Sequence, residues 1–450
     1  MIGAFPVEAD LVAARWQMAL SLGWHIVIAC FGVGFPALIL IAEGLGSKPG
    51  GDVYRALARR WAKAAGVLFA IGAVSGTILS FEMGILWPGL MGTYGAVIGL
   101  PFALEGIAFF IEAIFLGIYL YGWDRLPPRA HLLSGVPIPI AGIASAWFVV
   151  TANAWMNQPT GFRLVDGQVV DVDPIAAIFN PATGVQTAHM IIAAFMVAGF
   201  GVASVYAWAL LRGRRGTYER RGFLLGFIMA ALLTAPQIVV GDQAARFLAQ
   251  YQPTKLAAVE GLYATERHAP LTIGGLPIDG AMRYGVQIPG GLSWLAFGDT
   301  NAEVRGLDQV ATQDQPPVLP VHVAFQVMVA IGFGLLFLSV WLAWSWWRHR
   351  AIPTSRVFLI ACVAAGPAAA VALEAGWIVT EVGRQPWIVY QVLRVEAAVT
   401  AAPGIRYGLF ALIILYAALT AAAVFVLLRL ARVPLALADR PTTLPPAARG

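Results

Sequence analysis

Nine stretches of this chain are long and apolar enough to cross a bilayer. A spanning helix needs about 20 apolar residues, because the hydrocarbon core is about 30 Å thick. Such runs fall at roughly 14–43, 57–81, 95–122, 133–153, 185–211, 221–241, 320–346, 355–380 and 405–430. Glycine, proline or charge clusters separate each pair, as turns require. The 450 residues are 59% hydrophobic and only 12% charged. That balance excludes a soluble domain and predicts an all-α polytopic membrane protein of nine transmembrane helices.

The short loops orient the bundle. Lys48, Arg55, Arg59 and Arg60 lie in the first loop, Arg125 and Arg129 in the third, and Arg212, Arg214, Arg215, Arg220 and Arg221 in the fifth. Arg348, Arg350 and Arg356 lie in the seventh, and Arg429, Arg432 and Arg440 in or after the last span. Loops two and four hold almost no lysine or arginine. The excess of basic residues predicts cytoplasmic odd loops, an outside N-terminus and a cytoplasmic C-terminus. The net charge of +5 thus reflects those loops, and no nucleic-acid partner is expected. The start, MIGAFPVEADLVAARW, carries acids before its first arginine and predicts no cleavable signal. Cys30 and Cys362 lie in apolar runs and form no metal or disulfide pattern.

The expected organisation is helices one to six over 1–241, an extracytoplasmic loop over 242–319, helices seven to nine over 320–433, and a disordered cytoplasmic tail over 434–450. The loop is the one sizeable segment between spans, and loops of that length are usually functional or disordered.

Ionisable groups at membrane depth are costly and mark function. The eighth span ends in LEAGWIVTEVGRQPW, where Glu381 precedes a Gly–Pro turn that carries Arg384. An alternative reading makes this an interfacial anchor, with Trp377 and Trp387 in the aromatic belt. His25 and His189 lie on apolar helices. A lone histidine there is usually a packing residue, but two in the outer half point toward cofactor ligation. Met328 on the seventh span lies near the depth of His189, and a His/Met pair is an axial set for an electron-transfer haem. Glu105 and Glu112 are seven residues apart on the third span, so both project from one face about 10 Å apart along the axis. Their line suggests a proton route. Lys255 and Glu260 in the long loop read, by themselves, as part of a solvated amphipathic helix. His131, His268 and His349 read as solvated or interfacial, and His322 as interfacial.

Together these residues resemble subunit I of the cytochrome bd family of quinol-oxidising terminal oxidases. The resemblance rests on EAGWIVTE followed by GRQPW, the first-span histidine, EGIAFFIE running into GWDRL, NAWMNQP, the fifth-span histidine, and GDQ followed by TKLAAVE. It covers essentially the whole chain. It implies His189 and Met328 as axial ligands of a low-spin haem b. His25 and Glu381 would be the proximal iron ligands of a high-spin haem b and a haem d, with either assignment open. Lys255 and Glu260 become quinol-site residues. Glu105 and Glu112 become acids of the oxygen-reducing site and its proton supply, and Arg384, Trp377 and Arg15 become residues near the haems. Asn153 matches the asparagine of the family's NxWM motif.

The implied partners are a second membrane subunit, subunit II, a small single-helix subunit, ubiquinol or menaquinol, and O2. The implied setting is the bacterial cytoplasmic membrane. Gln326 stands where the family usually has arginine. The short loop after TKLAAVE resembles the branch that includes cyanide-insensitive oxidases. Rival readings are an ion-coupled transporter and a haem electron-transfer subunit without oxygen chemistry.

Overall fold

The computed structural model describes residues 7–432, with side chains from Leu11 onward; the expected tail over 434–450 lies outside them. Fourteen α-helices occur in order among the described residues: α1 (Val7–Gly46), α2 (Asp52–Leu86), α3 (Pro88–Gly122), α4 (Pro128–Gly135), α5 (Pro137–Asn157), α6 (Pro174–Ile178), α7 (Thr183–Leu211), α8 (Thr217–Tyr251), α9 (Pro253–Glu260), α10 (Gly291–Phe297), α11 (Val318–His349), α12 (Arg356–Val382), α13 (Val395–Ala398) and α14 (Ile405–Arg432). Nine spans among the described residues are long and apolar enough to cross a membrane, and α4 with α5 makes one of them. Proline opens α3, α5 and α9, where its missing N–H has no helical partner to lose.

Every expected span contains a helix, but the helices outrun the apolar runs. Charged flanks remain helical because backbone bonding does not require apolar side chains. Thus α2 starts at Asp52, ahead of Arg55, Arg59 and Arg60, and α8 continues ten residues past 241.

Helix α7 packs against α8, α12 and α1, while α1 also packs on α2, α5 and α14. Small residues permit the closest approach, since packing and not hydrophobic exclusion drives helix association in lipid. A Cβ on Gly199 of α7 would stand 2.7 Å from the Gly226 carbonyl oxygen of α8. The main core fills the space between α1, α2, α7, α8, α11 and α12, with Phe200, Phe223, Phe227 and Phe358 fully buried.

Among the described residues eight short strands form four antiparallel pairs: β1 (Arg163–Val165) with β2 (Gln168–Val170), β3 (Glu266–Arg267) with β6 (Glu303–Val304), β4 (Leu271–Ile278) with β5 (Ala281–Ile288), and β7 (Trp387–Val389) with β8 (Leu393–Arg394). The β4–β5 hairpin turns at Asp279 and Gly280, both with positive φ of 52° and 72°. An Asp–Gly pair suits that two-residue turn.

Two histidine expectations need correction. His131 is 2% exposed, with Nδ1 2.6 Å from Glu43 Oε1 and Nε2 2.9 Å from the Tyr119 carbonyl. His322 is fully buried, with Nδ1 2.7 Å from the Val259 carbonyl and Nε2 3.1 Å from the Gly274 carbonyl. Both sit where a helix end meets a neighbouring backbone, which converts an interfacial position into an internal one.

Candidate functional site

The end of α12 gathers partners from three distant segments. The Asn153 side-chain amide donates to Glu381 Oε1, and Arg384 Nη2 donates to Glu381 Oε2 at 2.6 Å. Asn157 Nδ2 donates to Asn153 Oδ1 at 3.0 Å. Lys255 Nζ donates to Asn157 Oδ1 at 2.6 Å and to the Thr380 carbonyl at 3.2 Å. Gln252 Nε2 donates to the Asn157 carbonyl at 2.6 Å. Arg15 Nη2 donates to Gln385 Oε1 at 2.8 Å, and Gln385 Nε2 reaches the Glu381 carbonyl at 3.2 Å. Sequence elements far apart thus close on one carboxylate.

The charge here is unbalanced. Lys255 and Arg384 are each 2% exposed, and Glu381 is their shared acid. Burial holds Lys255 well below the usual lysine range, the Arg384 guanidinium pushes the same way, and Glu381 opposes both. Arg384 Nε and Nη1 and Arg15 Nε are buried donors without acceptors. Buried cations with free donors call for an anionic group.

A second arrangement lies across the bundle. Helix α7 contacts α8 and α12, and α11 contacts the same two, so the four close a ring with α7 and α11 on its diagonal. His189 is on α7 and Met328 on α11. His189 Nε2 lies 3.1 Å from Gln237 Nε2, while its Nδ1 has no partner. Glycine faces each of these side chains: a Cβ on Gly241 would lie 3.5 Å from His189 Cε1, and one on Gly376 would lie 3.1 Å from Met328 Sδ. Facing helices of four-helix bundles are where cofactor sites are built.

His25 on α1 has Nδ1 2.7 Å from Ser75 Oγ on α2, and a Cβ on Gly76 would lie 3.2 Å from its Cε1. Glu112 is 6% exposed, against Gly32 of α1 and Gly142 of α5, while half-buried Glu105 accepts from Ser145 Oγ at 3.2 Å. Trp377 packs half-buried on the main core. No group of three or more His, Cys, Asp or Glu side chains that could chelate an ion exists among the described residues. Isolated ligands fit axial coordination of a macrocycle, not chelation of a bare ion.

The comparisons decide the family. A model of the cytochrome bd terminal oxidase subunit I family matches residues 13–434. The chain belongs to that family. A Bacillus subtilis (strain 168) protein named putative cytochrome bd menaquinol oxidase subunit I is 36% identical, over 93% of this chain and 96% of its own. The cytochrome bd-II ubiquinol oxidase subunit 1 of Escherichia coli (strain K12) is 28% identical, over 93% and 96%. The solved bd oxidase of Geobacillus thermodenitrificans matches with a TM-score of 0.88 and 39% identity, over 94% of this chain and 98% of that one.

For a bd oxidase subunit I, haem groups and a quinol are the implied cofactors and substrate, and the residues present fit them. His25, His189 and Met328 each lie against a glycine, and buried donors of Arg384 and Arg15 lack acceptors. Lys255 and Glu260 both lie buried on α9, which corrects the solvated reading of that helix. They leave it differently. Lys255 turns to Asn157 and Thr380, whereas Glu260 lines a cavity of about 160 Å³ with Tyr263, Thr272, Met282 and Gln287. Five residues turn a helix about 500°, so the two side chains project on different faces. Burial raises Glu260 to about 8.

Gln326 clamps the hairpin: its Oε1 accepts from Gly274 N at 2.9 Å and its Nε2 donates to the Thr272 carbonyl at 3.1 Å. An amide matches one donor and one acceptor of backbone, which a guanidinium cannot. Reasoning from sequence missed Asn157, Gln252, Gln385, Gln237 and Ser75. Asn157 and Gln385 sit inside the quoted motifs NAWMNQP and GRQPW, and that adjacency was their signal.

Proposed function

We propose that this chain is the haem-bearing subunit of a quinol:oxygen oxidoreductase, oxidising quinol at the outer membrane face and reducing O2 to water. The diagonal placement of His189 and Met328 in a four-helix ring, each against a glycine, carries this reading. His189 and Met328 would hold a low-spin haem b, and His25 and Glu381 a high-spin haem b and a haem d. When bound, these haems supply the one-electron and oxygen chemistry that side chains cannot.

The chain's own residues do the rest. Glu260, raised to about 8, is suited to accept a proton from a quinol hydroxyl near neutral pH. Lys255 holds the amide of Asn157, which positions Asn153 on Glu381, while Arg384 holds the other oxygen of that carboxylate. Arg384 and Lys255 would balance carboxylate groups of a bound macrocycle. Glu112 and Glu105 pass protons in from the cytoplasmic side. Quinol protons leave outside while those for water enter from inside, so a gradient forms without a pump.

The orientation assumed is N-terminus outside and C-terminus cytoplasmic, as the basic loops favour. On this reading 242–319 is the extracytoplasmic quinol loop, and the partners are subunit II and a small single-helix subunit in the bacterial cytoplasmic membrane. A Met328→Leu variant of the purified complex tests the reading. The low-spin haem band in the reduced-minus-oxidised spectrum should vanish while the high-spin bands stay. An unchanged spectrum overturns the ligand assignment, and a colourless wild-type complex favours the transporter. A coloured complex without quinol-driven oxygen uptake favours the electron-transfer subunit.

A further inference from the structure

Glu82 of α2 is 5% exposed, and neither carboxyl oxygen makes a well-formed hydrogen bond, although Ser21 and Gln17 lie near enough for weak ones. The side chains that adjoin it are Gln17 and Ser21 of α1, with Tyr416 of α14 beside Ser21. Gln17, Ser21 and Tyr416 are 9%, 0% and 2% exposed, and Gln17 Oε1, Ser21 Oγ and Tyr416 OH likewise make no well-formed hydrogen bond, being within reach only of one another and of Glu82. Four buried polar groups therefore meet where α1, α2 and α14 pack together. Such a concentration of unsatisfied groups is expensive unless it carries out work. Tyr416 is fixed by Trp24, stacked on it at 4.8 Å.

The cluster is in line with His25. Gln17, Ser21 and His25 are spaced by four, so they share one face of α1 and each step is about 6 Å. Ser75 and Glu82 are spaced by seven, so they share one face of α2 about 10 Å apart along the axis. Since α1 and α2 are sequential antiparallel partners and His25 binds Ser75 at 2.7 Å, the seam from that contact toward the end of α2 reads Ser21, Glu82, Gln17. Glu82 lies four residues from the last residue of α2, about 6 Å from the end of the helix. The groups facing it are Gln17 and Ser21 from α1 and Tyr416 from α14; of these, Tyr416 alone titrates, and no basic side chain pairs with the carboxyl.

We propose that Glu82 is a proton-exchanging site coupled to the centre built on His25, reached along the α1–α2 seam. His25 is a neutral ligand and brings no charge of its own, unlike Glu381. A buried carboxylate on the His25 side offsets the positive charge of an oxidised iron. When one electron from quinol enters that centre, one proton from the bundle end adds to Glu82 and forms an O–H bond. The buried charge stays constant. When the electron leaves, that O–H bond breaks and the proton returns to the seam. The inference rests on the reading of His25 as an iron ligand.

Reduced-minus-oxidised infrared spectra and redox titrations across pH test it, on the purified complex with wild-type, E82Q, E82D and H25A chains. The wild type should show a carboxyl C=O signal and a pH-dependent midpoint potential for the His25 centre. Both should be lost in E82Q with the visible spectrum retained, and the C=O signal should shift in E82D. A wild-type signal and pH dependence in E82Q overturns the proposal. If E82Q does not assemble, S21A and Y416F should each shift the C=O band, and two unshifted bands overturn it. An H25A complex that keeps every visible band overturns the ligand reading and the coupling with it. A bleached H25A beside an unaffected E82Q overturns the Glu82 proposal alone.

Discussion

The side chain of Asn153 donates to Glu381 across 228 positions of sequence, tying α5 to the end of α12. Replacing Asn153 with alanine leaves one carboxylate oxygen without its donor. The expected cost is about 1–3 kcal/mol of stability. Asn153→Asp should cost more, because it sets two carboxylates together. Thermal unfolding in detergent measures both, and the haem band assigned to Glu381 should weaken in the same order.

Glu260 gives a pH signature. Its carboxyl is raised from the usual 4.5 to about 8 by burial, so the folded chain keeps a proton that the unfolded chain has released. Folded protein then binds more protons, and stability falls as pH climbs from about 4.5 to about 8. Lys255 acts in the opposite sense. Its lowered value makes the unfolded chain the better proton binder, so its contribution rises with pH until about the ordinary 10.5. Glu260→Gln should remove the falling part alone, so the melting temperature should no longer decline between about pH 5 and 8.

Gly376→Ala tests the cradle around Met328. A Cβ there would stand 3.1 Å from the Met328 sulfur, closer than ordinary contact, so the thioether must shift. On the proposed ligation by His189 and Met328, the low-spin haem band should move or weaken, with melting little changed. Gly241→Ala, whose Cβ would reach His189 at an ordinary 3.5 Å, should perturb the same band less.

Gln326→Leu removes two bonds to the β4–β5 hairpin. About 1–3 kcal/mol of local stability should go with them. Limited proteolysis should then nick the hairpin near Asp279–Gly280 faster than in the wild type, and KM for quinol should rise more than kcat falls.

His131→Ala should destabilise the bundle by about 3–5 kcal/mol, since it strands the buried Glu43 carboxylate with Tyr119 as its one remaining donor. Glu43→Gln with His131 intact should cost less. Melting temperatures of the two variants decide the order.

Much of this architecture was legible in the sequence. Hydropathy marks every span because lipid forces backbone bonds inside each helix, and that constraint is local. The candidate ligands were legible because His25, His189, Met328 and Glu381 are costly or unusual on apolar helices. The amides were not. Asn157 and Gln252 look ordinary at a helix end, and their importance comes from a partner about 95 positions away. His131 read as interfacial because its neighbour Glu43 belongs to another helix. Glu82 drew no notice because SFEMG resembles any polar residue near the end of a span.

The burial of Lys255 has a consequence for how new specificities arise. Its stem lies against the turn after α12, where a Cβ on Gly383 would meet it at 3.0 Å, so the root of the long loop is welded to the membrane core. The β4–β5 hairpin is tied to α11 through Gln326 and His322. On the proposed quinol-site reading, a graft of residues 271–288 between relatives should change KM for quinol and leave the visible spectrum as it was.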